Sequence, residues 1–426
     1  MVPASTEESP LSGKRIIIAG AGMAGLSFSL ALHKHSTTKY PTLPPPIVTI
    51  YDRDTRAASI GREGYSLSIV GDTADGGLYT LSQLGLLDET LKHALIGGDG
   101  SGPFKIWTER WQELISVKLK PFGHLPTGAI RIARKDLRST LLNAASEKGV
   151  EIRWGLSCTS VTKLEGGRAR VRILNHGTEE ESDKECDLLV AADGSSSKLR
   201  AQLRPQDGLN YAGAVQMGGV ARYDKGLPSP IDVNWGGVLT GRGVFVFLSP
   251  VSKKEVVWAL SICEDAPRPK FDNHDPAQVA AMLVEAKELS KNIGEPWPEV
   301  VKRTVPETTF MIPARDKKPF NNHAYVHEWG PAVFIGDANH AVSPFGGNGA
   351  NLALRDGWDL ANCLCQGNGL EQGVKEYDKL SGPRASATLR SSHQRIAMGH
   401  STGIWYWVSH SLFTLGGFAL KVLGRS

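Results

Sequence analysis

Gly20, Gly22 and Gly25 stand in the stretch GAGMAG, after the apolar run RIIIA and before a helical pattern, LSFSLALHKH. A G-x-G-x-x-G between strand and helix suits a pyrophosphate. The first glycine permits the tight turn, the second lets the phosphates approach the backbone, and the third lets helix and strand pack closely. The anion then rests on unpaired N–H groups at the helix start, where Ala24 also lies. Asp52 closes the next apolar run, IVTIYD, 27 residues after Gly25. An acid there can accept from the two hydroxyls of an adenosine ribose. The usual spacing is about twenty residues, and the proline-rich loop STTKYPTLPPP accounts for the excess. Arg53 is placed either beside the adenine or in solvent.

Two later stretches repeat the pattern of apolar run and terminal acid. CDLLVAADGSSSKLR ends its run on Asp193-Gly194, with Arg200 on the helix that follows. FIGDANHAVSPFGGNGANLALRDG passes from Gly336-Asp337 through Gly346, Gly347 and Gly349 to a helix starting near Asn348 to Ala350.

Positioning these groups calls for a parallel sheet. RIIIA and IVTIYDRD lack alternation, as strands buried on both faces do. PAVFIGD supplies a third such strand. Helical periodicity covers 77–97 and 134–148, and short strands follow from about 150 to 190. From about 209 to 265 apolar and polar residues alternate, as in a mostly antiparallel sheet with one exposed face. The helix AQVAAMLVEAKELSKNI comes next. The fold expected is α/β: a Rossmann-like domain interrupted by a mostly antiparallel sheet domain, with a C-terminal helical segment. Its divisions are a disordered lead-in over 1–12, a discontinuous cofactor domain over 13–80, 130–205 and 315–370, a substrate-side sheet domain over 81–129 and 206–314, and helices over 371–426.

The chain has 426 residues, 41% of them hydrophobic and 22% charged, with a net charge of +4. It carries no basic block with interleaved aromatics, so nucleic acid is not an expected partner. Five cysteines, an odd number without a CxxC pair, argue against a disulfide framework or a metal site and for a reducing, cytoplasmic compartment. Cys363 and Cys365 read as small core residues.

GxGxxG, then DG, then GD, in this order and at these distances, resembles the single-component FAD-dependent aromatic monooxygenases, the para-hydroxybenzoate hydroxylase-like and salicylate hydroxylase-like flavoproteins. The resemblance covers about residues 14 to 400. IGREGYSLSIVGDTADGGLYTLSQLGLL is most similar to tetracycline-inactivating and fungal biosynthetic monooxygenases. The resemblance implies FAD as cofactor, NADPH or NADH as transient co-substrate, and dioxygen. It implies hydroxylation or epoxidation of a small aromatic or conjugated molecule through a C4a-hydroperoxyflavin, in secondary metabolism. A flavin oxidase or dehydrogenase on the same scaffold, or an antibiotic-inactivating monooxygenase, is the alternative. It places Arg134, in RKDLR, at the ribityl–phosphate portion of the flavin, and Arg62 near the flavin or the entering nicotinamide. Asp337 would accept from a ribityl hydroxyl. Gly346, Gly347, Gly349, Ala350 and Asn351 would bring N–H groups to the pyrimidine edge, where a helix start stabilises negative charge by ~0.3–1 kcal/mol. The chain departs from the family's habit at three points: aspartate at Asp52 where glutamate is usual, Arg355-Asp356 after the GD motif, and GDANH for GDAAH.

No side chain is nominated as a catalytic base, and His340 reads as structural. Candidate substrate lining comes from Asn234–Phe247 and Val256–Ile262, including Trp235, Phe245, Phe247 and Trp258. Residues 404–423, IWYWVSHSLFTLGGFALKVL, are expected to pack across the domains, with peripheral membrane contact as the alternative. A monomer or a dimer is expected.

Overall fold

The computed structural model describes residues 10–55, 65–98, 102–366 and 369–424; Arg62 and residues 1–9 of the expected lead-in lie outside these. Leu11 is buried against the core.

Strand Arg15–Ala19 is the middle of a five-stranded parallel sheet. The order is Ala332–Phe334, Leu188–Ala191, Arg15–Ala19, Ile47–Asp52, Glu151–Trp154. Its unbroken apolar run has a physical reason, because successive side chains enter different layers. Ile16 and Ile18 pack with Leu26 and Phe28 of helix Met23–Lys39 and Leu354 and Leu360 of helix Gly349–Leu364. Ile17 and Ala19 pack with Val161 and Val171, from the three-stranded antiparallel sheet Leu156–Lys163, Ala169–Asn175, Glu181–Cys186. Cys363 and Cys365 are buried in the first layer.

The second large element is a seven-stranded sheet, ordered Phe310–Asp316, Asn210–Arg222, Glu255–Cys263, Val244–Ser252, Trp235–Leu239, Phe104–Thr108, Glu113–Val117. All its pairs are antiparallel except Trp235–Leu239 with Phe104–Thr108. Val244, Val246 and Leu248 face helices Pro276–Leu289 and Trp297–Lys302. Trp258 joins them, donating from Nε1 to Thr304 Oγ1 at 2.9 Å and meeting Trp297 edge to face. It therefore turns away from the face carrying Trp235, Phe245 and Phe247, and it leaves the expected pocket lining. A small antiparallel sheet, Ser66–Val70, Ala129–Ala133 and Ala94–Ile96, lies against the aromatic face.

The helical pattern over 77–97 is not one helix. Gly85, at φ 77°, caps helix Gly77–Leu84; a short helix Leu87–Lys92 follows, and Ala94–Ile96 is strand. A left-handed residue ends a helix, and glycine adopts it without a Cβ penalty.

Helix Gly369–Gly399 crosses the cofactor side, and helix Gly403–Val422 follows it. The latter lays Phe413 and Gly417 along Glu113–Val117 and Tyr406 against Gly241, close enough that a Cβ on Gly417 would meet the Leu114 carbonyl oxygen at 2.6 Å. Trp405, Trp407, Leu412, Leu415 and Phe418 on its outer side stay exposed. No helix among the described residues is long and apolar enough to cross a membrane.

Candidate functional site

The three motifs meet at the C-terminal ends of the parallel strands. A Cβ on Gly20, where φ is 103°, would stand 2.5 Å from the Ala192 carbonyl oxygen and 3.2 Å from the Asp193 Cα, so the first turn is seated against the DG loop. A Cβ on Gly25 would stand 2.1 Å from the Gly20 carbonyl oxygen. Gly336, at φ 57°, packs beside the Ala24 methyl, and Ser27 Oγ donates to the Leu354 carbonyl at 2.6 Å. Gly22 differs. It is the N-cap of helix Met23–Lys39, no side chain caps that end, and a Cβ there would meet nothing within 4 Å. Unpaired N–H groups thus face open space at the point where a pyrophosphate is expected.

Asp52 is held from two sides. Its Oδ2 accepts from Ala21 N–H at 2.7 Å and its Oδ1 from Asp54 N–H at 2.9 Å. Arg138 brings Nη2 to 3.4 Å from Oδ2 and donates from Nε to the Ala21 carbonyl at 3.0 Å. Arg138 therefore fixes the glycine turn to the acid, a role the sequence reading missed. The only signal was its place one helical turn after Arg134 on helix Arg134–Glu147. Arg53 is exposed and lies 3.7 Å from Asp54.

Asp337 follows the strand end and opens the short helix Asp337–His340. Asp337 is exposed to solvent although protein crowds around its carboxyl. Local access decides what can touch it, so a bound hydroxyl can reach it. Burial raises its proton affinity, with His340 and Arg134 pulling the other way. Arg134 is thus within electrostatic reach of Asp337; its N–H donates to the Tyr65 carbonyl at 3.1 Å and its guanidinium lies 5.7 Å from the Tyr65 ring centre. Arg200 donates to the Ala338 carbonyl at 2.8 Å and to the Ser195 carbonyl, joining the DG and GD loops. Asp193 accepts from Lys198 N–H at 3.0 Å through Oδ2, while Oδ1 is enclosed without a partner, and burial raises its pKa.

The glycine loop ends where the sequence places it: Asn348 is the N-cap and the helix runs from Gly349. Gly347, at φ 59°, caps the short turn Pro344–Gly346. The Asn351 side chain is engaged by protein. Its Oδ1 accepts from Val70 and Gly77 N–H at 2.9 and 3.1 Å, and its Nδ2 donates to the Ser68 carbonyl at 2.9 Å. Only backbone N–H groups of Gly349, Ala350 and Asn351 are left for a ligand there. Helix Gly369–Gly399 straps the loop, with Ser392 Oγ 2.6 Å from Ser343 Oγ and Arg395 Nη1 donating to the Gly346 carbonyl at 2.7 Å.

Behind the loop lies a buried charge cluster. His340 Nε2 donates to Asp356 Oδ2 at 2.6 Å; Asp356 also accepts from Gly336 N–H at 2.9 Å, from Ser381 Oγ at 3.0 Å and from Arg384 Nη2 at 3.1 Å. Burial alone would lower the His340 pKa and raise that of Asp356. Their mutual attraction outweighs both, holding the imidazole above its ordinary value and the carboxyl below its own. The aspartate after Arg355 is therefore the anchor that turns Gly336-Asp337 toward the cleft.

A cofactor with a pyrophosphate, a ribose and a polyhydroxyl chain fits these residues. The cradle at Gly20 and Gly25 admits no side chain, Gly22 is bare and open, Asp193 keeps an unpartnered oxygen, and the Asp337 carboxyl faces the cleft.

Comparison with known proteins agrees in family and fold. The model of the FAD binding domain family matches residues 14–392. The chain is 42% identical over 399 residues to monooxygenase cfoF of Aspergillus candidus, covering 93% of this chain and 94% of that one. Its fold is similar to that of Klebsiella pneumoniae HpxO complexed with FAD and uric acid, with a TM-score of 0.73, 18% identity, and 98% and 97% of the two chains covered. It is also similar to that of tetracycline destructase Tet(51), with a TM-score of 0.64, 14% identity, and 97% and 98% covered.

Proposed function

The chain belongs to the FAD binding domain family of flavin-dependent monooxygenases, and from that premise we propose that it holds FAD across the three converging loops and inserts one oxygen atom of dioxygen into a small aromatic or conjugated substrate, with a reduced nicotinamide as electron donor. The observation that carries this reading is the seating of Gly20 on Ala192-Asp193 and of Gly336 on Ala24, which makes one cradle of three distant motifs. Secondary metabolism is the setting that the relationship to cfoF favours.

FAD, when bound, supplies the redox chemistry. The chain's residues supply place and polarity. Helix Met23–Lys39 offers N–H groups to the pyrophosphate, Asp52 accepts from the ribose hydroxyls, and Arg138 keeps that acid oriented. Asp337 accepts from the polyhydroxyl chain, with Arg134 across the cleft. The N–H groups at Gly349, Ala350 and Asn351 would present a helix start to the bound cofactor and favour negative charge there. Trp235, Phe245 and Phe247 form an apolar wall that keeps water from the reacting face.

The test is direct. Purified protein should be yellow, release FAD on denaturation, and consume NADPH or NADH with a substrate drawn from phenols, indoles, polyketides or terpenoid quinols. Labelled dioxygen should leave one labelled atom in product. Turnover without label in product would assign an oxidase or dehydrogenase instead, and colourless protein after incubation with excess FAD would end the proposal.

A further inference from the structure

Lys317 follows strand Phe310–Asp316 and is 1% exposed, a depth that lysine reaches only when its charge is engaged. An ammonium carries three N–H bonds, and the protein offers an acceptor for each. Nζ donates to the Lys318 carbonyl at 2.7 Å and to the Asn339 carbonyl at 2.6 Å, and it stands 3.2 Å from Asp207 Oδ2. The Phe320 ring centre lies 4.9 Å away.

These contacts converge on the short helix Asp337–His340, which opens with the acid expected to meet the cofactor. A helix of one turn leaves its last carbonyls without partners of its own. Here buried cations serve them. Arg200 donates to the Asp337 and Ala338 carbonyls at 3.4 and 2.8 Å, and Lys317 Nζ to that of Asn339. The Lys317 N–H donates to the Ala341 carbonyl at 3.0 Å. Asp207 joins the two cations: its carbonyl accepts from Arg200 Nε at 3.2 Å, and its Oδ2, beside Lys317, also accepts from Arg204 Nε at 2.8 Å. Asn339, where the chain departs from GDAAH, adds a clamp to the same turn. Its Oδ1 accepts from Phe320 N–H and its Nδ2 donates to the Phe320 carbonyl, both at 3.0 Å.

The charge on Lys317 is finely balanced. Asp207 faces it as the acid, and Arg200 and Arg204 face it as like charges. Asp316, next to it on the strand, is engaged by His393 at 2.7 Å; on the helix, His340 is turned to Asp356, and Asp337 is exposed to solvent. Burial pushes the ammonium down to about 8, with Asp207 pulling the other way. Only the charged form fills every acceptor. A neutral amine has one N–H fewer, so a carbonyl or the Asp207 carboxylate is left without a donor. Asp207 also lines a surface notch of about 320 Å³ with Arg204, Tyr325 and Trp329, which gives a departing proton a route to solvent.

We infer that Lys317 is a positioning residue for FAD: its ammonium, tied to Asp207, fixes helix Asp337–His340 so that Asp337 can accept from the cofactor, and loss of that proton loosens FAD while the chain stays folded. The identity of the ligand rests on the FAD reading; the hold on the helix does not.

FAD is removed from the purified full-length protein and returned to it, and its dissociation constant is read from the quenching of flavin fluorescence between about pH 6 and about pH 10. The unaltered protein should hold FAD at least about tenfold less tightly at the alkaline end, as loss of one hydrogen bond to a charged group implies, with the change centred near the Lys317 value of about 8. Lys317→Arg, which stays charged throughout, should show no such step, and Lys317→Met should bind weakly at every pH. A flat profile in the unaltered protein, a step that survives in Lys317→Arg, or tight binding by Lys317→Met would each overturn the proposal. Backbone amide exchange needs no cofactor. In Lys317→Met it should accelerate over residues 337–341 and stay unchanged over strand Arg15–Ala19; the same exchange in both places as in the unaltered protein, or acceleration in both, would overturn the proposal too. Should Lys317→Met not fold, the unaltered protein and Lys317→Arg decide it. Colourless protein would remove the flavin reading alone, because exchange still reports the hold on the helix.

Discussion

Gly25 and Gly22 lie three residues apart and make opposite demands. A methyl on Gly25 would collide with the Gly20 carbonyl, whereas a methyl on Gly22 would collide with nothing in the protein. Gly25→Ala should therefore destabilise the fold by about 1–3 kcal/mol, as an overpacked site does, and be purified without flavin. Gly22→Ala should melt like the unaltered apoprotein and still bind FAD poorly. Melting curves and flavin content of the two variants separate a packing role from a ligand-facing one. The His340–Asp356 pair predicts a pH window. Asp356 is held below its ordinary 3.8, so its contribution is present above that value and lost as pH falls through the depressed one. His340 is held above its ordinary 6.5, so its contribution is full below 6.5 and lost as pH rises through the raised value. Unfolding free energy measured across pH should show both limbs, and His340→Gln should remove the alkaline one. Leaving Arg384 in place and substituting Asp356→Asn should cost about 3–5 kcal/mol, because buried cations then lack their partner.

At the scale of elements, the Asn351 side chain pins the glycine-loop helix to strand Ser66–Val70 and to the start of helix Gly77–Leu84. Asn351→Ala leaves two N–H groups and one carbonyl without partners, at about 1–3 kcal/mol for each group left unsatisfied. A lowered unfolding midpoint together with weaker FAD retention is the expected result. A midpoint that falls while FAD affinity stays unchanged would mean that the pin serves stability alone. The glycine turn, the acids at the strand ends and the start of helix Gly349–Leu364 were all legible in the sequence, because each is written in adjacent residues and a local period. The partners of Arg138, Arg200 and Asp356 were not. Each acts on a residue far away in the chain, and nothing local names the partner. Trp258 shows a subtler limit. Alternation tells which residues share a face, and only the packing of helices Pro276–Leu289 and Trp297–Lys302 decides which face is the inner one. The break at Gly85 was readable in principle, since glycine after a periodic run is a stop signal, but the apolar period resumed at once and masked it.

On the scale of the whole molecule, helix Gly403–Val422 is one-sided. Its inner face lies on the edge strand Glu113–Val117, and its outer face presents Trp405, Trp407, Leu412, Leu415 and Phe418. Exposed apolar area of this continuity drives association. Leu412→Glu with Leu415→Glu should reduce concentration-dependent association in sedimentation velocity and leave flavin content unaltered. An unchanged sedimentation profile would show that water tolerates this face.

The order of the parallel sheet carries a consequence for the making of the protein. Its middle strand is synthesised first, but its neighbours on one side begin at Leu188 and Ala332, and the strap over the glycine loop is helix Gly369–Gly399. Contacts this distant in sequence form late and slowly. The cradle for the prosthetic group is therefore complete only once helix Gly369–Gly399 has been made and docked, which makes capture of the flavin a late event in folding.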